Sequence, residues 1–170
     1  MEIIAKEIVF ESQVLSVERT VLSDKEILFA RETVRRPEAA AAVVEYEGKI
    51  LLVKQYRHAA GRDLWEIPAG KLDAGEDPIT AIKREVQEET GITAEIVMTI
   101  GKIMPSPGYS DEVIHLFYMP VTKIPKSYEN IFIVGEIQDI SFFDRKRLKI
   151  MIANNIVIDA KSIIGISLTN

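Results

Sequence analysis

"GKLDAGEDPITAIKREVQEETGI", residues 70–92, is the stretch from which the fold can be read. Asp77 before Pro78 is an N-cap followed by a first-turn proline, and Gly91 is placed to close the helix in a left-handed cap. Together they predict one helix from Pro78 to Thr90. At about 100° per residue, Ile79, Ile82, Val86 and Thr90 fall on one stripe, the expected core-facing side. Glu85, Glu88 and Glu89 stand at i, i+3 and i+4, so they share an adjoining face on which three carboxylates can converge. Like charges at this spacing repel, and more strongly when partly desolvated. Either Lys83, Arg84 and solvent soften an ordinary acidic face, or a metal ion compensates it.

Outward from the helix, the chain is mostly extended. "EIVFESQVLSVERTVL" and "EILFARETV" alternate apolar and polar residues around the turn "SDKE", predicting an antiparallel β region in the first forty residues. "AAAVVEYEGKILLVKQYR" reads as a hairpin bending at Gly48, and "LWEIPA" as a short extended piece within a loop rich in Gly, Pro and Asp. Strands are predicted at "AEIVMTIGKIM" and "VIHLFYMPVTKI", and the segment after "IQDISFF" is expected to be helical, with "DRKRLKIMIANN" as one helix and "DAKSIIGISL" as a second. Strands, a helix, more strands and terminal helices give an α+β fold, an α/β/α sandwich with a mixed sheet.

The whole chain has 170 residues, 47% of them hydrophobic, enough for one sizeable core. No apolar run approaches the roughly 18 residues of a membrane span, and "MEIIAKEIVF" has no signal-peptide pattern, so the chain reads as cytoplasmic with no membrane partner. With no cysteine, any metal must be held by oxygen or by His58 and His115, whose spacing is not that of ligands. Oxygen donors favour magnesium, calcium or manganese. A net charge of −5 argues against nucleic acid as a partner, yet an acidic protein can bind a phosphate compound through intervening cations.

Gly70, Glu76, Arg84, Glu85, Val86, Glu88, Glu89, Gly91 and Ile92 fill every specified position of G-x5-E-x7-R-E-U-x-E-E-x-G-U, where U is a bulky aliphatic residue. In this the chain resembles the Nudix hydrolase family. The resemblance extends over residues 31–168, and "QYRHAAGRDLWEIPAGKLDAGE", "SPGYSDE" and Pro107 are similar to the ADP-ribose pyrophosphatase branch. It implies a Nudix-type sandwich over residues 39–170, preceded by an N-terminal β region, residues 1–38, that is part of the same unit and pairs two chains into a homodimer.

The implied activity is Mg2+- or Mn2+-dependent hydrolysis of ADP-ribose to AMP and ribose 5-phosphate. The alternatives are hydrolysis of another nucleoside diphosphate sugar or dinucleotide, and a sensing module of the same fold without turnover. By the resemblance, Glu85 and Glu89 look like the principal metal ligands, with Glu88 and the Ala69 carbonyl assisting. Arg84, placed with the catalytic residues, and Glu76 would orient the glutamates. Arg57 is the expected phosphate contact, the alternative being a surface arginine. Glu66 would bind metal or substrate, or pair with Arg62; Arg31 would lie near the nucleobase and Glu112 near the terminal ribose. Glu136 takes the position of a late-loop catalytic base, with Glu129 a rival and a box glutamate, Glu88 among them, the third choice. Trp65 and Tyr56 are expected in the core.

Overall fold

The structure is a computed structural model and describes residues 1–126, 128 and 137–169. Backbone contacts divide it into two compact units, one of Met1–Glu38 and Met104–Val113, the other of Ala39–Ile103 and Ile114–Asn170.

In the first unit, β1 (Glu2–Glu11), β2 (Ser16–Asp24) and β3 (Ile27–Arg35) form an antiparallel sheet in that order. The β2–β3 link holds Lys25 and Glu26 at φ 49° and 71°, the left-handed pair that a two-residue hairpin loop requires. Segment Met104–Val113 joins this sheet through Val34, which donates to the Tyr109 carbonyl at 2.7 Å and accepts from Asp111 N at 3.2 Å. All ten residues of β1 are exposed, and apolar Ile3, Ile4, Ile8, Val9 and Phe10 are among them.

The second unit is built on a mixed sheet ordered β10 (Ile137–Asp144), β5 (Lys49–Arg57), β4 (Ala39–Tyr46), β9 (Ile114–Pro120), β8 (Met98–Ile103). Only β4 and β9 run parallel among these pairs. The β4–β5 hairpin turns at Glu47 and Gly48, both left-handed. It pairs at Tyr46↔Lys49 and Glu45↔Ile50, after which its arms separate. The gap between the arms is filled by β6 (Arg62–Glu66), paired with β5, and β7 (Ala69–Lys71), paired with β4. Ala42 N donates to the Pro68 carbonyl at 3.0 Å and holds the bend between these two short strands.

Strand alternation sorts side chains into two cores, one on each face. Ala40, Ala42, Val44, Leu51, Val53, Phe117 and Met119 face α1 (Pro78–Thr90). Ala41, Val43, Ile50, Leu52 and Leu116 face α2 (Arg145–Ala153) and α3 (Ala160–Leu168). This is the α/β/α sandwich that the sequence predicts.

The expected core stripe of α1 needs one correction. Ile79 is exposed, and the buried residues are Ala81, Ile82, Val86, Glu89 and Thr90. The helix is rotated so that its last turn carries a carboxylate, rather than a solvated face, against β7.

Candidate active site

Helix α1 has the predicted ends. Asp77 accepts from Ile79 N at 3.0 Å and Thr80 N at 3.1 Å, and Gly91, at φ 69°, donates to the Gln87 carbonyl. These caps fix the register in which the helix presents its glutamates. Glu85 rests against Gly70, where a β-carbon would collide with its carboxylate, so only glycine admits this approach. Glu89 Oε2 accepts from Ala69 N at 3.3 Å. Glu88 does not join them: its side chain is 59% exposed and turns toward Arg84. Among the described residues no three His, Cys, Asp or Glu side chains converge as a ready metal cluster. The sequence spacing permits a three-carboxylate cluster, while the folded chain assembles the half-buried Glu85 and the buried Glu89, with Glu88 outlying.

Arg84 explains the arrangement. Its Nε and Nη2 donate to Glu76 at 3.1 and 2.9 Å, Nη1 to Glu85 at 2.7 Å and Glu88 at 3.3 Å, and Nη2 to the Lys71 carbonyl at 3.1 Å. A guanidinium has five N–H donors, so none is left for another ligand. Glu76 is held in turn by Asp73 N at 2.9 Å, and Arg84 keeps its carboxyl below the ordinary range.

A second network lies beside the first. Arg57 grips Glu66 with two bonds, Nε to Oε1 at 2.8 Å and Nη2 to Oε2 at 2.7 Å. Lys161, at the start of α3, donates to the same Oε2 at 2.5 Å and pairs with Asp159 at 3.0 Å. The partner of Glu66 is therefore not Arg62, which lies opposite Arg57 in the β5–β6 ladder. Burial would raise the Glu66 carboxyl, but Arg57 and Lys161 outweigh it and hold it ionised.

The α1 carboxylates have the opposite balance. Burial, then repulsion from Glu85, pushes Glu89 up to about 8, against the Ala69 N–H, Arg57 and Lys161. Burial likewise raises Glu85, against Arg84. Two desolvated carboxylates that disfavour each other's charge form a donor set suited to a hard divalent cation, whose charge would reverse both shifts.

Trp65 packs edge-on against Phe143, with ring centroids 5.2 Å apart, on the α2/α3 face. Tyr56 is 45% exposed, which corrects its expected core position: it alternates with half-buried Gln55 and Arg57 near the end of β5. Arg31 and Glu112 belong to the first unit. There Arg31 stacks over the Phe29 ring and Glu112 faces Arg36 at 3.6 Å. Glu129 and Glu136 lie outside the described residues. Lys161, Asp159 and Ser162 are members of the network that the sequence reading missed. Asp159 could have been recognised as the N-cap of α3, but nothing local marks Lys161 as pointing inward.

The NUDIX domain model matches residues 34–163, and the chain belongs to the Nudix family. Members of this family generally use divalent metals. The chain is 42% identical over 119 residues to the ADP-ribose pyrophosphatase of Bacillus subtilis (strain 168), covering 67% of this chain and 63% of that one. It is 46% identical over 88 residues to the methanol dehydrogenase activator of Bacillus methanolicus, covering 51% and 48% respectively. With the ADP-ribose pyrophosphatase of Mycobacterium tuberculosis it shares 41% over 92 residues, 53% of this chain and 44% of the other. The chain thus spans less than two thirds of the length of each of these relatives. A crystal structure of an ADP compounds hydrolase superposes with a TM-score of 0.81 over 99% of this chain and 91% of that one; at 18% identity the likeness is one of fold. Among the described residues no helix is long and apolar enough to cross a membrane.

Proposed function

We propose that this chain hydrolyses the diphosphate of a nucleoside diphosphate derivative, ADP-ribose foremost, to give AMP and ribose 5-phosphate, with Mg2+ or Mn2+ as cofactor. The observation that carries the reading is the half-buried Glu85 beside the buried Glu89, set against β7 with the Arg57–Glu66 pair nearby and built from the residues of the Nudix motif. Its support from relatives is the name ADP-ribose pyrophosphatase borne by two of the proteins above.

Glu85 and Glu89, with Glu88 and the Ala69 carbonyl, would hold the divalent cation, which when bound neutralises diphosphate oxygens and makes water a better nucleophile. Arg84 keeps Glu85 in place and itself makes no substrate contact. Arg57, with one edge of its guanidinium fixed by Glu66, offers Nη1 to a phosphate oxygen. An acidic side chain takes the proton of the attacking water, and Glu136 is the first candidate. Roles at the substrate for Arg31 and Glu112 belong to the same proposal.

A cytoplasmic homodimer formed through the N-terminal strands is also proposed. The exposed Ile3, Ile8 and Phe10 support it, since a three-stranded sheet has little core of its own and exposed apolar surface favours a partner. Light scattering on the eluted protein would report a single chain's mass if this part is wrong.

The test of activity is a magnesium-supplemented panel of ADP-ribose, other nucleoside diphosphate sugars, dinucleotides and ATP, with products resolved by chromatography. ADP-ribose is expected to show the highest kcat/KM. A preference for ATP would overturn the substrate, and saturable binding without products would overturn the enzyme in favour of a sensor.

A further inference from the structure

The terminal helix α3 lies far from the motif in sequence but reaches into the same site. Lys161 is buried, and an ammonium group is costly to bury without partners. Its two partners are both carboxylates: Glu66 Oε2 at 2.5 Å and Asp159 Oδ1 at 3.0 Å. Such a pair adds little stability over apolar packing, so its presence here points to a role in placement. Three further contacts fix the same segment. Ser162 Oγ accepts from Ile67 N at 2.8 Å and donates to Asp159 Oδ2 at 2.5 Å. Gly165 lets the helix approach so closely that a β-carbon there would stand 3.2 Å from Ile67 Cδ1 and 3.1 Å from Val43 Cγ2. Residues 66 and 67 are thus clamped to α3, leaving the Glu66 carboxylate little freedom to turn.

The charges are balanced as well as the positions. Glu66 and Asp159 carry two negative charges, Arg57 and Lys161 two positive ones. Because Lys161 shares the charge of Glu66, Arg57 is not wholly neutralised by its bidentate partner. Its side chain is 40% exposed, with Nη1 not engaged by Glu66. Without Lys161 the set would carry a net negative charge, and an incoming anion would meet repulsion where it now meets a held guanidinium.

We propose that Lys161 is a positioning residue for phosphate recognition: anchored by Asp159, it holds Glu66, and through Glu66 it sets the geometry and the available charge of Arg57. The inference rests on the reading of Arg57 as the phosphate contact. It assigns to the first turn of α3 a part in substrate affinity.

A double-mutant cycle on the full chain tests it, because residues acting through one another give non-additive effects. Lys161→Met is expected to lower kcat/KM for ADP-ribose about tenfold, chiefly through KM, and Lys161→Arg to recover it to within about threefold. In an Arg57→Ala background, Lys161→Met should change kcat/KM by less than about twofold. Multiplying penalties would show that Lys161 acts on general stability, and an unchanged KM in the single variant would remove it from the site; either result overturns the proposal. If Lys161→Met does not fold, judged by near-ultraviolet circular dichroism, the same cycle is run with Lys161→Gln. If the wild-type chain hydrolyses no compound of the panel, the activity reading fails, and the cycle is read instead from calorimetric binding of ADP. Lys161→Met should then weaken Kd about tenfold only when Arg57 is present, and a loss independent of Arg57 would refute the positioning role.

Discussion

Replacing Glu89 by Gln keeps the shape of the side chain and removes its capacity for charge. Folding takes this carboxyl from an ordinary 4.5 to about 8, first by burial and then by the nearby Glu85. A group whose pKa rises on folding binds its proton more tightly in the folded state. Its contribution is therefore favourable below about pH 4.5 and is lost progressively as the pH climbs toward about 8. At pH 7 the unfolded chain has released the proton and the folded chain still holds it, a penalty of up to about 3 kcal/mol at roughly 1.4 kcal/mol per pH unit. Glu89→Gln escapes that penalty and keeps an oxygen for the Ala69 N–H. Without metal it should be more stable than wild type by about 1–3 kcal/mol at pH 7, raising Tm by roughly 3–10 °C. Near pH 4.5 the two proteins should converge. Urea denaturation in EDTA, repeated from pH 4.5 to 8, measures both stabilities. A variant less stable than wild type at pH 7 would show that Glu89 forms a stabilising ion pair, contrary to the electrostatics described for the site.

Arg84→Lys keeps the charge but not the fork that joins Glu76, Glu85, Glu88 and the Lys71 carbonyl, so kcat should fall about 10–100-fold with the fold retained; wild-type turnover would refute the positioning role. Gly70→Ala would push the flexible end of Glu85 aside, so steady-state assays should show a loss of turnover of about tenfold or more while Tm moves only a few degrees. Glu136→Gln should lower kcat by about two to four orders of magnitude while metal affinity, read by calorimetry, stays nearly unchanged. If Glu136→Gln and Glu129→Gln both keep wild-type turnover across the pH range, the base belongs on α1.

Local signals carried much of this far. Asp77, Pro78 and Gly91 mark both ends of α1 because capping and left-handed geometry depend on neighbours within one turn. Alternation located the strands for the same reason, and Glu47–Gly48 is a turn that can be read without the fold. What could not be read was long-range. The separation of β4 from β5, and its filling by β6 and β7, is decided by packing between segments rather than by the hairpin's own residues. Ile79 lies outside the core because the helix is rotated to bury Glu89, a choice that periodicity alone does not make. Local spacing offers Arg62 as the partner of Glu66, whereas one of its actual partners, Lys161, arrives from 95 residues away. The attachment of Met104–Val113 to β3 depends likewise on long-range hydrogen bonds, those to Val34.

The most direct measurement is a phosphorus NMR time course of ADP-ribose with Mg2+, run with wild-type protein and with Glu89→Gln. The diphosphate signals should be replaced, with wild type, by two phosphomonoester signals of equal intensity, those of AMP and ribose 5-phosphate, and Glu89→Gln should be slower by about a hundredfold or more. Persistence of the diphosphate signals with saturating wild-type protein, or equal rates for the two proteins, would contradict hydrolysis at this carboxylate site.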